Sequence, residues 1–218
     1  MTGDALRATI LSLRIIPNPE RPLLAQLQVP EGHRSLGLIT TDCDDVSYAA
    51  LDEATKKAEV QVAYAKSMYA GAKNASQRLT GEFIGILSAP GPAQVRSGLE
   101  AAEDYIRSQA TFYSADPGDT IAYFAHCIPQ TGSYLSRMAG VPEGTPMAYL
   151  IAPPMEAMVG LDAALKAARV ELKVFYGPPT ETNFAGGLLT GKQYACQMAC
   201  DAFARTVREI AAQPIQPQ

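Results

Sequence analysis

The sequence predicts an α+β fold made of two tandem copies of one domain. The word Val-Pro-Glu-Gly occurs at residues 29–32 and again at 141–144. The word Leu-Thr-Gly occurs at residues 79–81 and again at 189–191. Because the two words recur in the same order and at nearly the same spacing, they indicate an internal duplication. We therefore expect a first domain at residues 1–112 and a second at residues 113–218.

Composition excludes several classes of protein. Of the 218 residues 47% are hydrophobic and 18% are charged, as in a folded globular chain. The net charge of −4 argues against a nucleic-acid partner, which requires a basic surface. The sequence contains no run of about 18 apolar residues, so it predicts no membrane span. Its first residues also lack the pattern of a secretory signal. The expected location is the cytoplasm.

Each copy shows the same order of elements. Extended segments at residues 8–16 and 121–128 each end at a proline, which lacks the backbone donor that a strand needs. A short segment leads to the Val-Pro-Glu-Gly turn, and a second strand follows at residues 35–40 or 147–152. Helices are then expected to begin near Val46 and Met155.

The later part of each copy is also readable. Leu161, Ala164, Leu165 and Ala168 recur with helical spacing, and Val170 to Tyr176 alternate with a period of two, as in a strand. The remaining expected elements are loops at 65–80 and 177–190, a strand at 82–88 and helices at 92–107 and 192–210. The seam between the copies falls near residues 109–120, where Asp-Pro-Gly-Asp predicts a turn.

Two of the four cysteines, Cys196 and Cys200, lie four residues apart on the last predicted helix. They share its apolar face with Phe203 and Val207, so we expect two reduced thiols in the core. A metal pair is the alternative, but the only histidines are His33 and His126, and neither is near in sequence. We expect no metal and no cofactor.

The segment from 161 to 172, Leu-Asp-Ala-Ala-Leu-Lys-Ala-Ala-Arg-Val-Glu-Leu, resembles the signature helix and strand of bacterial microcompartment shell proteins. Residues 51–62 are a looser copy, and further blocks at 34–40, 131–136 and 146–150 resemble the ethanolamine-utilisation type. The resemblance implies two circularly permuted shell domains and a homotrimer that imitates a hexamer. It also implies that such discs tile with other shell proteins into a microcompartment shell in the cytoplasm.

The resemblance assigns an edge role to Lys56 and Lys166. In the family, the matching lysine lies along a neighbouring disc and helps to set the tiling angle. The alternative is a solvated helix face, where Asp52 and Asp162 precede these lysines by four residues. The arginine that the family often carries after the Ile-Pro strand end is absent here.

The loops at 65–80 and 177–190 match those that line the central pore in the family. They are long for simple connections, and long loops are often functional. Candidate gate residues in the second loop are Thr180, Glu181, Asn183 and Phe184. The alternative is a pair of surface loops without a role.

Acidic residues after the second strand match an amine-binding pore in the family. Asp44, Asp45 and Glu82 are the expected carboxylates, and Phe112 is the expected aromatic lining residue for ethanolamine. Carboxylates suit a protonated amine through charge-assisted hydrogen bonds, and an aromatic ring adds a cation–π interaction. The second copy lacks these acids, so a trimer would have three such openings. Capping of the following helix is the alternative role of the aspartates.

The sequence gives no basis for catalysis. No nucleophile, base and orienting residue form a recognisable set, and no glycine-rich phosphate loop follows a strand. His126 and Cys127 fall in an extended segment, where one side chain points inward and the other outward. The rival hypothesis is a trimeric small-molecule sensor, which would remain a discrete particle instead of assembling with shell proteins.

Overall fold

The computed structural model describes residues 1–68, 82–178, 180 and 182–215. Its strands are β1 Ala5–Leu6, β2 Ile10–Ile16, β3 Ser35–Thr41, β4 Gln61–Met68, β5 Glu82–Ala89, β6 Phe112–Ser114, β7 Ala122–Ile128, β8 Met147–Ala152, β9 Val170–Tyr176 and β10 Ala185–Gly191. Its helices are α1 Arg21–Gln26, α2 Asp44–Lys57, α3 Pro92–Ser108, α4 Ser133–Ala139, α5 Pro154–Ala167 and α6 Gln193–Ala212. None of the helices in these ranges combines the length and the apolar character that crossing a bilayer requires.

The described chain divides into two compact units. The N-terminal unit contains Ala8–Ala110 together with Gly132–Leu135. The C-terminal unit contains Met1–Arg7, Thr111–Thr131 and Ser136–Gln218. The division at residues 112 and 113 refers to the duplicated sequence copies and stays a prediction.

The duplication is visible in the strand order. The N-terminal unit has a four-stranded antiparallel sheet with the order β2-β3-β5-β4. The C-terminal unit has a six-stranded sheet, and its last four strands, β7-β8-β10-β9, repeat that order. The short strands β1 and β6, which the sequence did not predict, extend this second sheet beside β7.

Apolar side chains hold the helices on each sheet. In the N-terminal unit, α2 and α3 pack together and against β5, and the largest fully buried side chains include Leu36, Ile39, Leu51, Phe83 and Leu87. In the C-terminal unit, α5 and α6 pack together, and Phe203 is fully buried. Burying one such side chain contributes about 1.5–3 kcal/mol, so the helix faces that the periodicity predicted stabilise both layers.

Most predicted elements are confirmed to within two or three residues, but one predicted loop is wrong. The loop expected at 177–190 ends at Phe184, because β10 starts at Ala185 and pairs with both β8 and β9. Two glycines of β10, Gly186 and Gly187, are required by close packing. A Cβ on Gly187 would lie 2.5 Å from the backbone oxygen of Val174. Of the loop expected at 65–80, residues 65–68 belong to β4, and 69–81 lie outside the described residues.

The predicted core thiols and the predicted turn at the seam are confirmed. Cys196 and Cys200 are buried in the core of the C-terminal unit, and burial raises the pKa of Cys196 to about 11 and raises that of Cys200 as well. At the seam, the Asp116 carboxylate accepts hydrogen bonds from the backbone N–H groups of Gly118, Thr120 and Ile121. These hydrogen bonds lower the pKa of Asp116.

Candidate functional site

The acidic residues of the N-terminal unit lie at the start of α2. Asp44 and Asp45 occupy its first turn, and both are buried, with exposures of 4% and 6%. The N-cap residue is Cys43, whose side chain makes no capping hydrogen bond, so neither aspartate is the cap. A carboxylate in the first turn is still favoured by the helix dipole. Asp42 precedes the N-cap residue, and it accepts a hydrogen bond from the Thr9 N–H at 2.6 Å.

Two polar residues that the sequence pattern does not single out, Ser67 and Tyr48, are linked to Asp44 by hydrogen bonds. Ser67 on β4 donates a hydrogen bond to Asp44 Oδ2 at 2.6 Å. The Tyr48 hydroxyl is hydrogen-bonded to Ser67 Oγ at 2.9 Å and accepts from the Ser67 N–H at 3.0 Å. Burial raises the pKa of Tyr48 to about 12, so its phenol stays protonated at neutral pH. Asp44, Tyr48 and Ser67 therefore form one partly buried polar cluster.

Glu82 is the first residue of β5. It is opposite Met68 in the register with β4, and it is buried, with an exposure of 9%. Among the residues that the structure describes, its Oε1 atom has no hydrogen-bond partner. Phe83, the next residue, is opposite Ser67 and contacts the Tyr48 ring edge-on at 4.9 Å. Glu82 therefore lies where β4 ends and β5 begins, at the same end of the two strands as Ser67.

A buried carboxylate oxygen without a donor is energetically unfavourable. It becomes favourable when a ligand supplies an N–H group and a positive charge, because hydrogen bonds between charged groups are the strong ones. The chemistry of Glu82 therefore fits a cationic donor such as a protonated amine.

Phe112 lies in the C-terminal unit, where it begins the short strand β6. Its side chain is fully buried and stacks on Phe124, with 5.2 Å between the ring centroids and 20° between the ring planes. Its ring also contacts Phe184 edge-on at 6.1 Å. The structure thus brings the predicted aromatic lining residue into contact with one predicted gate residue.

The predicted gate residues form a tight turn before β10. The Thr180 hydroxyl donates to the backbone oxygen of Phe184 at 2.9 Å. The Asn183 N–H donates to the backbone oxygen of Thr180 at 3.1 Å. Asn183 has a left-handed backbone, with a φ of 63°. Glu181, the fourth predicted gate residue, lies outside the described residues.

The two predicted edge lysines have different surroundings. The Lys166 side chain is 75% exposed and is paired with Asp162 at 2.5 Å. The Lys56 side chain is only 22% exposed, and its ammonium is paired with Glu53 and lies 3.9 Å from Asp52. A hydrogen-bonded, half-buried ammonium is less available to a neighbouring molecule than an exposed one, so Lys166 is the better candidate for an edge contact.

The predicted alternation at His126 and Cys127 stays a prediction, because both side chains are half-buried. His126 stacks on Phe124 at 5.3 Å, whereas the Cys127 Sγ atom lies 3.9 Å from the backbone oxygen of Gln193 on α6. In the described part of the chain, no three side chains of His, Cys, Asp or Glu come together as a metal site would require.

Comparison with known proteins gives matches along the whole chain. The BMC domain family matches residues 35–116. The bacterial microcompartment shell protein EutL of Clostridium perfringens is 59% identical over 215 residues, which cover 99% of each chain. The EutL shell protein of Escherichia coli K12 is 47% identical, with 98% of this chain and 97% of the relative covered. The crystal structure of the ethanolamine utilization protein EutL from Leptotrichia buccalis has a TM-score of 0.95 at 60% identity and 100% coverage of both chains.

Proposed function

The chain belongs to the EutL family of bacterial microcompartment shell proteins, and we propose that it forms a trimeric disc whose pores admit ethanolamine. The shell role follows from the family. The protein is a structural component of the shell of an ethanolamine-utilisation microcompartment, and it assembles with other shell proteins. The predicted fold class, two tandem circularly permuted shell domains, is confirmed by the same matches. The observation that carries this conclusion is the 59% identity over 99% of both chains.

The trimer is the first part of the proposal. Two similar domains in each chain give six domain positions when three chains close a ring, so a three-fold particle acquires a six-sided outline. Such an outline suits tiling into flat sheets. In multi-angle light scattering we expect three chains per particle at all concentrations. A monomeric mass would contradict the proposal, and a discrete trimer that never enters sheets with other shell proteins would favour the rival sensor.

The second part is an amine site lined by Asp44, Asp45 and Glu82. Asp44 and Asp45 supply buried negative charge, and Glu82 supplies an oxygen atom that lacks a donor among the described residues. Tyr48 and Ser67 join the proposal, because the Ser67 hydroxyl donates to Asp44 and the Tyr48 hydroxyl is hydrogen-bonded to Ser67. Phe112 stays the proposed aromatic lining residue. We propose no catalytic role for any of these groups.

The third part is a central gate formed by Thr180, Glu181, Asn183 and Phe184 from each of three chains. Its support is the match between this segment and the pore loops of the family. Hydrogen bonds from Thr180 and Asn183 hold the turn that leads to Phe184. We therefore expect these residues to act as one unit at the gate.

Substitution of Glu82 tests the amine site. Glu82→Gln keeps the size of the side chain but removes its charge. We expect the affinity for ethanolamine to fall about tenfold or more, because a hydrogen bond to a charged group contributes about 1.5–3 kcal/mol. Isothermal titration calorimetry measures the change, and light scattering checks that the trimer remains.

Glu143→Gln is the matched control, since Glu143 is exposed and lies outside the proposed site. Its affinity for ethanolamine should equal that of the unmodified protein. Equal affinities for all three proteins would remove Glu82 from the site and leave the shell role untouched.

A further inference from the structure

The C-terminal unit contains an open cleft between strand β7 and helix α6, which we call the β7–α6 cleft. Its volume is about 330 Å³, and its lining includes Tyr113, Tyr123, Ala125, Cys200, Asp201 and Arg208. The N-terminal unit has a cleft in the matching place, between β2 and α3, with a volume of about 380 Å³. Because the two clefts come from the two sequence copies, their differences show what is particular to each.

The helices α3 and α6 are equivalent, and their register follows from their starts and their buried positions. Helix α3 starts at residue 92 and α6 at residue 193, which is 101 residues later. At that shift the buried residues of α3 at 95, 98, 99, 102 and 106 match the buried residues of α6 at 196, 199, 200, 203 and 207. Glu103 and Arg107 of α3 therefore correspond to Ala204 and Arg208 of α6.

The two matching arginines have different partners. Glu103 accepts a hydrogen bond from Arg107 Nε at 2.9 Å and lies 2.8 Å from its Nη2 atom, so the charge of Arg107 is paired. On α6 the acid is replaced by Ala204, and Arg208 Nε donates to the backbone oxygen of Ala204 at 3.1 Å. Within the part of the chain that the structure describes, no carboxylate pairs with Arg208. The β7–α6 cleft therefore contains a guanidinium whose charge is not neutralised.

Two tyrosines line the cleft beside Arg208. Tyr113 on β6 is opposite Tyr123 on β7, with 6.0 Å between the ring centroids and 33° between the ring planes. Burial raises the pKa of Tyr123, against the lowering effect of the nearby Arg208 charge. Both phenols thus stay protonated at neutral pH and can donate hydrogen bonds. In the described chain, β2 is the edge strand of its sheet, so the N-terminal unit has no equivalent of Tyr113.

Small uncharged side chains also line the β7–α6 cleft. Cys200 and Ala204 stand where the N-terminal cleft has Leu99 and Glu103. Burial raises the pKa of Cys200, so its thiol stays protonated and acts as a small apolar group. Together with Ala125, these residues form an apolar surface next to the two tyrosine rings.

One acidic residue lies at the other end of the cleft. Asp201 precedes Arg208 by seven residues, which is about two helical turns or about 10 Å along α6. Its carboxylate accepts a hydrogen bond from Gln197 Nε2 at 2.9 Å. The Arg208 end therefore favours one negative charge, whereas the Asp201 end repels a second.

We propose that the β7–α6 cleft binds a small monocarboxylate with an apolar tail. The planar guanidinium of Arg208 matches a carboxylate group and can bind both of its oxygen atoms. The hydroxyls of Tyr113 and Tyr123 donate to the same group. The tail lies against the tyrosine rings and the small side chains, and the volume of the cleft limits it to one ring or a short chain. This ligand is opposite in charge to the amine proposed for Glu82, so the two sites are separate.

Benzoate is the probe, because it combines one ring with one carboxylate. Saturation-transfer NMR on the assembled, unmodified protein measures its affinity. Benzyl alcohol and benzylamine keep the ring but are neutral and positively charged, so we expect them to bind at least about tenfold more weakly. Terephthalate, which adds a second carboxylate at the far side of the ring, should also bind more weakly than benzoate because of Asp201.

Ala204→Glu gives α6 the acid that α3 already has. The new carboxylate should pair with Arg208 as Glu103 pairs with Arg107, and the affinity for benzoate should fall at least about tenfold. The variant should fold, because a Glu–Arg pair four residues apart stabilises a helix and Ala204 is only half-buried. Circular dichroism checks the fold.

Arg208→Gln removes the positive charge itself, and it too should weaken benzoate binding at least about tenfold. Arg107→Gln is the matched control, since Arg107 is already paired with Glu103. Its affinity for benzoate should equal that of the unmodified protein. Tyr113→Phe removes one hydroxyl and should reduce the affinity a few-fold.

Three results would overturn the inference. The unmodified protein could fail to bind benzoate, or it could bind as tightly after Ala204→Glu and Arg208→Gln as before. Equal losses in Arg107→Gln and Arg208→Gln would show a general effect of charge and no site. Displacement of benzoate by ethanolamine would place the probe in the amine site.

Discussion

Asp52 and Asp162 occupy the same position of the repeated helix but have opposite surroundings. Burial raises the pKa of Asp52, against the opposing effect of the hydrogen bonds from Gly132 and Leu135. Asp162 lies at the surface and is paired with Lys166. The same residue type thus secures a buried chain segment in one copy and takes part in a solvated ion pair in the other.

Alanine substitutions distinguish these two roles. Asp52→Ala leaves the N–H groups of Gly132 and Leu135 without an acceptor in a buried place, where each such group costs about 1–3 kcal/mol. Removal of a buried carboxylate offsets part of that cost, so we expect the free energy of unfolding to fall by about 2 kcal/mol. Urea denaturation measures this loss in the free energy of unfolding.

Asp162→Ala is the control, because exposed ion pairs contribute about 0–1 kcal/mol. Its unfolding free energy should stay within about 0.5 kcal/mol of that of the unmodified chain. Equal losses in the two variants would mean that the hydrogen bonds to residues 132 and 135 do not stabilise the fold.

At the level of single residues, the sequence predicted the acidic residues but not the residues that contact them. Asp44, Asp45 and Glu82 stood out as acids without counterparts in the second copy, and their role stays a prediction. Tyr48 and Ser67 were not identified, because their contact depends on how β4 lies beside α2, 19 residues further along the chain. Local pattern carries no information on such a pairing.

Among the elements, regular periodicity predicted the longer strands and helices. It did not predict the short helices. The helices α1 and α4 span six and seven residues, too few for a repeating apolar pattern. The sequence of β10 is typical of a loop, because its glycines carry no strand preference, and only pairing with β8 and β9 decides its conformation. The duplication itself predicted what single segments could not, since both copies had to fold alike.

The ends of α1 and α4 offer a reciprocal test of this likeness. Gln28 has a φ of 50°, a left-handed conformation that glycine adopts without a steric penalty, and its counterpart Gly140 has a φ of 63°. The left-handed conformation costs a residue with a side chain about 1–2 kcal/mol. Gln28→Gly should therefore raise the free energy of unfolding by up to about 1 kcal/mol, less the greater entropy of glycine in the unfolded chain.

Gly140→Gln should have the opposite effect and lower the free energy of unfolding by about 1 kcal/mol or more. Thermal denaturation of both variants beside the unmodified chain measures the two shifts. A loss of stability in Gln28→Gly would show that the glutamine side chain has contacts that outweigh its strained backbone.

For the whole molecule, the unequal exposure of the two repeated lysines predicts which of them serves assembly. We expect Lys166→Ala to reduce the extended sheets that the protein forms in negative-stain electron microscopy, because an exposed ammonium at a disc edge is available to a neighbouring disc. The light-scattering mass should stay that of the unmodified particle.

Lys57→Ala is the control for the loss of one positive charge, since the Lys57 side chain is 64% exposed but lies one residue beyond the repeated lysine position. It should form sheets as the unmodified protein does. Sheets of normal extent in Lys166→Ala would remove the lysine from the edge contact.

The packing of residues 132–135 on α2, through hydrogen bonds from Gly132 and Leu135 to Asp52, has a consequence for how the protein is made. The Asp52 carboxylate gains its two N–H donors only when residues 132–135 have left the ribosome. This happens after the whole first sequence copy has been synthesised. At about 5–20 residues per second, the stretch from residue 112 to residue 135 takes about one to five seconds to translate. During that interval the face of α2 that contains Asp52 is exposed on the nascent chain. It becomes covered only when the early part of the second copy packs on it.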